Sequence, residues 1–126
     1  MKLGEIIERY QCTVYTKENF QPEKELNYGF CSDLMSDALM IMNTVRQENI
    51  LKNSMLITGL ATNQSIRTAE MLDVQVVVLV RGKIPANQVI ELANESGITL
   101  IGTELTMFNL SGALYSMGIK GITSRK

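Results

Sequence analysis

Residues 54–67 constrain the fold more than any other part of the chain. Residues 54–58 form an apolar run typical of a strand that is buried on both faces. Gly59 permits a tight turn, and Thr62 or Asn63 is suited to cap a helix that continues to residue 72. A buried strand, a glycine turn and a helix in succession form the repeating unit of parallel α/β domains. We therefore expect the rest of the chain to alternate in the same way.

The residues before residue 54 are predicted to form short helices and strands. The positions of apolar and β-branched residues predict a helix at 3–9, a strand at 11–16, a loop at 17–24 and a strand at 27–31. Ser32 or Ser36 is the expected N-cap of a helix that runs to about residue 47, and residues 48–53 look like a turn. That helix is rich in methionine, with Met35, Met40 and Met42. Methionines at this spacing are typical of core filler or, alternatively, of an association surface.

The residues after residue 72 repeat the strand and helix pattern twice. Residues 74–80 include the most apolar run in the chain and predict a central strand. Pro85 precedes a helix that ends before Gly97, and a buried strand follows at 98–102. Thr103 or Thr106 is the expected cap of a last helix through Met117, after which residues 121–123 form a short strand or stay loose.

This order predicts one three-layer α/β/α domain over residues 1–126. Sequential strands joined by helical crossovers are parallel, so we expect a mostly parallel sheet of about five strands with the first strand at an edge. A chain of 126 residues is the usual size of one domain.

Charge and hydropathy exclude several classes of partner. The formal net charge is −1, so no overall positive field attracts nucleic acid or anionic lipid. No apolar run is long enough to span a bilayer, and the first residues do not form a signal peptide. We predict a cytoplasmic protein that binds neither nucleic acid nor membrane.

The chain contains two cysteines and no histidine. Without histidine there is no Ser-His-Asp triad, and the commonest metal ligand is missing, so we predict no metal and no cofactor. Cys12 and Cys31 both fall in predicted strands and are expected to be buried thiols, with a disulfide or a reactive thiol as the alternative.

One edge of the predicted sheet carries the polar residues that are suited to bind an anion. Helix N-termini at the carboxyl ends of parallel strands present free N–H groups and the positive end of the helix dipole. The candidate ligand-binding residues at this edge are Ser36, Thr58, Gly59, Thr62, Asn63, Arg81 and Gly82. The hydroxyl and amide residues are equally well explained as helix caps, and Arg81 and Lys83 as solvated charges.

The stricter motifs are missing. The sequence has neither G-x-x-x-x-G-K-[ST] nor G-x-G-x-x-G. Asp33 and Asp37 are four residues apart, and capping or solvation explains them best. We predict no catalytic residues.

Several segments together resemble the DRTGG domain family. They are Ser32 to Leu39, Leu56 to Gly59, Arg67 to Asp73, Val78 to Pro85 and Ser111 to Tyr115. The resemblance covers residues 28–122 approximately and extends to the N-terminal domain of HPr serine kinase/phosphatase. It implies an α/β fold of that type, dimerisation and a regulatory role without an established reaction.

The sequence departs from the family pattern at its name-giving residues. Leu60 and Ala61 stand where the Asp-Arg pair would follow the turn glycine, and Val80, Arg81 and Gly82 stand in place of Thr-Gly-Gly. The chain also has no kinase domain, so kinase activity does not follow from the resemblance.

The leading hypothesis is a non-catalytic regulatory or ligand-sensing domain that acts as a homodimer through an unknown protein partner. Its dimer surface is predicted at residues 35–42 and the loop near Arg81. The alternatives are a specific sensor of a nucleotide or phosphorylated metabolite, a small enzyme that uses Asp37, Arg81 or Lys83, and a structural assembly subunit.

Overall fold

The computed structural model describes residues 1–40 and 48–122. Its helices are α1 (Leu3–Arg9), α2 (Met35–Leu39), α3 (Glu48–Lys52), α4 (Asn63–Leu72), α5 (Asn87–Glu95) and α6 (Met107–Ser116). Its strands are β1 (Thr13–Val14), β2 (Tyr28–Cys31), β3 (Ser54–Thr58), β4 (Val76–Leu79), β5 (Thr99–Gly102) and β6 (Lys120–Gly121), and a 3₁₀ turn spans Lys17–Asn19.

The strands form one mostly parallel sheet in the order β1-β5-β4-β3-β2-β6. β2, β3, β4 and β5 are parallel neighbours, β6 is parallel to β2, and β1 is antiparallel to β5 at the far edge. The predicted α/β class, the mostly parallel sheet and the edge position of the first strand are confirmed. The sheet has six strands instead of about five, because the two-residue strands β1 and β6 both pair.

Both faces of the sheet are covered, which gives the predicted three layers. Every residue of β3 and β4 is buried, and alternate side chains point into two separate cores. Leu56 and Val77 pack with α2, α4 and α5, whereas Ile57 and Val78 pack with α1 and α6. The sheet therefore lies between two helical layers.

The strand order reverses at β2. From β2 to β5, each strand lies next to the strand before it, and the sheet grows in one direction. The chain then returns across the sheet through α6, and β6 lies beside β2. Since parallel crossovers are right-handed, this reversed step puts α6 on the opposite face from α4 and α5.

One sequence prediction in the segment before β3 is wrong. Residues 48–52 form helix α3 where a turn was expected. Leu51 packs against the core formed with α2, α4 and α5, and this tertiary contact favours the helix.

The predicted N-caps of α2 are also wrong. α2 begins after Leu34, which is its N-cap residue and makes no side-chain cap bond. The Ser32 hydroxyl instead accepts from the amide of Leu34, at 3.1 Å, which closes a turn before the helix begins. The predicted continuation of this helix to about residue 47 lies outside the described residues, as does Met42.

The remaining helix ends follow the sequence. Asp73 ends α4 with a left-handed φ of 62°, and Gly97, φ 72°, follows Ser96, the C-cap residue of α5. The Thr106 hydroxyl caps α6 by accepting from the amide of Asn109, at 3.2 Å. Met117, predicted as the end of the last helix, is the exposed C-cap residue of α6.

The two cysteines differ from each other and from the prediction. Both are free thiols; Cys12 precedes β1 and is half-buried, whereas Cys31 ends β2 and is exposed. Burial raises the pKa of the Cys12 thiol to about 11. The expectation of two buried thiols is therefore wrong for Cys31, because the strand β6 beside it is too short to cover it.

Candidate functional site

The carboxyl ends of four parallel strands bring charged residues together at one edge of the sheet. Cys31 is in register with Ile57, and Thr58 with Leu79, which in turn is in register with Gly102. The residues just beyond these positions include Asp33, Gly59, Arg81 and Glu104. Ligand sites in parallel α/β sheets form at this edge.

Asp33 joins the loop after β2 to the loop after β3. Its Oδ1 accepts from the Gly59 amide at 2.6 Å and from the Thr58 hydroxyl at 3.1 Å. Thr58 Oγ1 also accepts from the amide of Leu60 at 3.0 Å. The amides of Gly59 and Leu60 in the glycine turn thus both donate to side-chain oxygens of the protein, the first to a carboxylate and the second to a hydroxyl group.

Arg81 reaches the same turn from the loop after β4. Its backbone has a left-handed φ of 59° and is followed by Gly82 with φ 67°, and the amide of Lys83 donates to the carbonyl of Val80 at 3.3 Å. Two consecutive positive φ values with this bond are typical of a type I′ turn. The Arg81 amide donates to the carbonyl of Leu105 at 2.8 Å, which fixes the turn to the loop after β5.

Gly59 leaves room for the guanidinium of Arg81. A Cβ atom at Gly59 would lie 2.8 Å from Arg81 Nη2 and 3.4 Å from Asp33 Oδ1. Any side chain larger than hydrogen at this position would therefore push the guanidinium away. The glycine allows a cation to lie over the turn, beside the carboxylate that the turn already holds.

Arg81 forms no ion pair within 4.0 Å in the described part of the chain. The Asp33 carboxylate lies at the same glycine turn, and Glu104 lies close to the next residue, Gly82, where a Cβ atom would be 2.7 Å from Glu104 Oε1. The arrangement offers one cation and nearby acceptors, a combination that suits a ligand with both anionic and hydroxyl groups.

The structure brings four of the seven predicted site residues together: Thr58, Gly59, Arg81 and Gly82. Thr62 is the N-cap residue of α4 but makes no side-chain cap bond, and Asn63 is the exposed first residue of that helix. Ser36 is exposed in α2 and shares no hydrogen bond with the other six among the described residues. Thr58 itself is fully buried, and it contributes to the glycine turn through the hydrogen bonds of its hydroxyl group.

The sequence places residues 32–37 and 102–106 at this edge, but Asp33 and Glu104 were not among the predicted ligand-binding residues. Asp33 lies two residues beyond the end of β2, and Glu104 two residues beyond the end of β5. Their position just after parallel strands was the available signal, because such residues converge whatever their distance along the chain.

The described residues contain neither a metal-binding cluster nor a membrane-spanning helix. No group of three or more cysteine, aspartate or glutamate side chains among residues 1–40 and 48–122 is placed to hold a metal ion. Within the same ranges, no helix is long and apolar enough to cross a membrane.

The sequence matches no protein-family model and no curated protein. The structure is similar to a crystal structure of the CBS and DRTGG domains of the regulatory region of Clostridium perfringens pyrophosphatase, in complex with its activator, diadenosine tetraphosphate. The TM-score is 0.64 and the sequence identity 18%, over 88% of this chain and 44% of that one. This chain therefore corresponds to less than half of that regulatory region. At this identity the similarity establishes the shared α/β fold.

Proposed function

We propose that this chain is a non-catalytic regulatory domain of the DRTGG type, which senses a ligand and acts as a homodimer through a partner protein. The sequence resemblance and the fold shared with part of a regulatory region support the class. The observation that carries the ligand-sensing role is the guanidinium of Arg81 over Gly59, beside Asp33.

The ligand class that fits this edge is a nucleotide or another phosphorylated metabolite. Arg81 supplies a cation for a phosphate group, and the first turn of the ten-residue helix α4 adds N–H groups without intrahelical partners. Asp33 uses only Oδ1 in its bonds to Thr58 and Gly59, so Oδ2 is available to accept from a sugar hydroxyl. The similar regulatory region binds a nucleotide activator, which agrees with this class.

Asp33 also supplies a route from ligand to partner. Phosphate bound at Arg81 competes with the Asp33 carboxylate for the Gly59 amide, because both are anionic acceptors for the same donor. Release of Asp33 frees the segment that leads into α2. Leu34 and Met40 at the two ends of that helix are 59% and 58% exposed, so a change in α2 alters an exposed apolar surface.

The proposed dimer surface needs one change from the sequence prediction. Met35 is only 2% exposed and packs in the core, so it is not part of an intermolecular surface. We assign Leu34 and Met40 in its place, together with the Arg81 loop. Light scattering at micromolar concentration should give a mass near 28 kDa, twice 14.1 kDa. A mass near 14.1 kDa would contradict the dimer.

The ligand proposal is tested by calorimetric titration with adenine and guanine nucleotides. The double variant Arg81→Ala/Asn63→Ala should lose about 10- to 100-fold in affinity, the usual worth of a charged hydrogen bond. Gly59→Ala should weaken binding in the same way, because the new methyl group displaces the Arg81 guanidinium. The melting temperature of the free protein should change little in both variants, because both sites are at least partly exposed.

Lys83→Ala is the matched control. Lys83 is an exposed cation in the same loop, so it contributes to the general charge but does not lie over the turn. Its loss should reduce affinity by no more than about threefold. Equal effects of Arg81→Ala and Lys83→Ala, or an unchanged affinity in the double variant, would reject the site. Conversion of the nucleotide to product during the titration would favour the enzyme alternative.

A further inference from the structure

A cavity of about 350 Å³ lies between β2, β6 and α6, outside the cluster of Asp33, Gly59 and Arg81. Its walls are mainly apolar and include Ile57, Leu114 and Ile119, all of them buried core residues. A volume of this size is within the range of small-molecule sites, which are largely apolar with a few polar groups that fix the ligand.

The polar groups at this cavity are neutral hydrogen-bonding groups. Cys31 Sγ and Ser111 Oγ lie 3.0 Å apart and bridge β2 to α6. Among the residues that the structure describes, the lining contains no carboxylate, and the exposed Lys120 is its one charged residue. An uncharged group with hydrogen-bonding edges fits such walls better than a phosphate does.

An aromatic ring stands at the mouth of the cavity. Tyr115 lines the cavity and is nevertheless 74% exposed. An exposed tyrosine face beside an apolar opening is suited to stack on a planar heterocycle, since bases present a π face of the same kind.

The cavity lies between β2 and β6, beside the carboxyl-terminal half of β2. Ligands in open α/β sheets bind beyond the carboxyl ends of the strands. Cys31 and Ile57, which line the cavity, precede Asp33 and Gly59 by two residues each. Two residues of extended chain span about 7 Å, so one ligand of mononucleotide size reaches from the cavity to the turn.

We propose that this cavity binds the heteroaromatic base of the nucleotide whose phosphate lies at Arg81. The inference rests on the proposed function for the phosphate half, and it adds a site for the base, formed by Cys31, Ser111 and Tyr115. The phosphate group of the ligand acts on Asp33 and through it on α2, and the base contributes affinity and selectivity.

Alkylation of Cys31 reports on the cavity directly, because the thiol is exposed and lies in its wall. The wild-type protein is labelled with iodoacetamide at pH 8 in the presence of adenosine or AMP, with guanosine and GMP as a second pair. Cys12 is the internal control, because burial raises the pKa of its thiol to about 11 and it lies outside the cavity lining. We expect a nucleoside and its monophosphate to slow the labelling of Cys31 at least fivefold.

Variants separate the base site from the phosphate site. Tyr115→Ala should weaken both nucleoside and nucleotide about tenfold, and Tyr115→Phe should restore binding because the ring is retained. Phe108→Ala is the matched control, since Phe108 is an exposed aromatic residue of the same helix outside the cavity lining. Arg81→Ala should weaken the monophosphate and leave the nucleoside unchanged.

The outcomes distinguish the base site in the cavity from the phosphate site at Arg81. Monophosphate binding that depends on Arg81, with unchanged labelling of Cys31, overturns the base site and leaves the proposed function standing. Protection of Cys31 by a nucleoside, with no effect of Arg81→Ala on the monophosphate, supports the cavity and overturns the phosphate assignment. Failure of all four compounds to bind overturns both.

Discussion

The two edges of the sheet are built in different ways. At the β1 edge, side chains tie the chain to its neighbours: the amide of Leu100 donates to Thr16 Oγ1 at 2.8 Å, and Asn19 Nδ2 donates to the carbonyls of Ala93 and Asn94 at 3.2 and 3.1 Å. At the β6 edge, two strand residues are paired, and beside them lie the cavity, the exposed thiol of Cys31 and the exposed ring of Tyr115.

This contrast separates an edge that is closed by side-chain hydrogen bonds from an edge that carries an open cavity. At the β1 edge, polar side chains add hydrogen bonds to the backbone: Asn19 is a second donor to the carbonyls of Ala93 and Asn94, which also accept from the amides of Ile98 and Gly97. At the β6 edge, polar and aromatic groups face an opening that a ligand can fill. We therefore expect substitutions at the first edge to change stability, and substitutions at the second to change binding.

The largest expected difference is in thiol reactivity, since each edge has one cysteine beside it. With a pKa of about 11, only about one Cys12 in a thousand is a thiolate at pH 8. Iodoacetamide should therefore label Cys31 on the order of a hundredfold faster, as measured by mass spectrometry of the digested protein. The rate at Cys12 should rise about tenfold per pH unit up to its pKa, because the thiolate fraction does. Equal labelling rates for Cys12 and Cys31 at pH 8 would contradict the difference between the two edges.

The next largest effect is expected from Asn19→Ala. The substitution removes the donor to the carbonyls of Ala93 and Asn94 at the end of α5, which should cost about 2 kcal/mol. The melting temperature should fall by roughly 8 °C. Asn109→Ala is the matched control: this exposed asparagine of α6 takes part in the cap through its backbone amide, which alanine keeps. A similar melting temperature for both variants would show that the Asn19 bonds contribute little.

The smallest expected effects are changes in stability when one glycine near each edge of the sheet is replaced by alanine. A Cβ atom at Gly102, in β5, would lie 3.0 Å from Tyr15 Cε2, so Gly102→Ala should cost about 1 kcal/mol through overpacking. A Cβ atom at Gly121, in β6, meets nothing within 4 Å among the described residues, so Gly121→Ala should change stability by less than about 0.5 kcal/mol. Urea unfolding of the pair measures both. A larger loss in Gly121→Ala than in Gly102→Ala would reverse the assignment of the two edges.

Much of the fold was predictable because its signals are local. The run at β3 and the valines of β4 specify buried parallel strands by themselves, and Gly97 and Thr106 mark helix ends through their own conformation or hydroxyl group. Helix α3 was not predictable in this way. It is five residues long and depends on the contact of Leu51 with the core, which no local pattern encodes.

The candidate site was predictable in part, for a related reason. Thr58, Gly59 and Arg81 follow predicted strands, so their shared edge could be inferred from topology. Asp33 acquires its role from hydrogen bonds to residues 25 and 26 positions away, and the sequence supported only a capping or solvated charge. The cavity was missed altogether, because it depends on β6 returning beside β2.

The pairing of β6 with β2 has a kinetic consequence. Tyr28 is in register with Lys120, 92 positions along the chain, and Thr13 of β1 is in register with Gly102, 89 positions along, whereas β2 to β5 are each paired with the next strand in the sequence. Contacts between distant residues pay a larger loop-closure entropy and tend to form late. We expect β1 and β6 to dock late during refolding, and the amides of β6 to exchange with deuterium before those of β3 and β4. The proposed nucleotide cavity would then be completed only late in folding, and a bound ligand would slow the first step of unfolding.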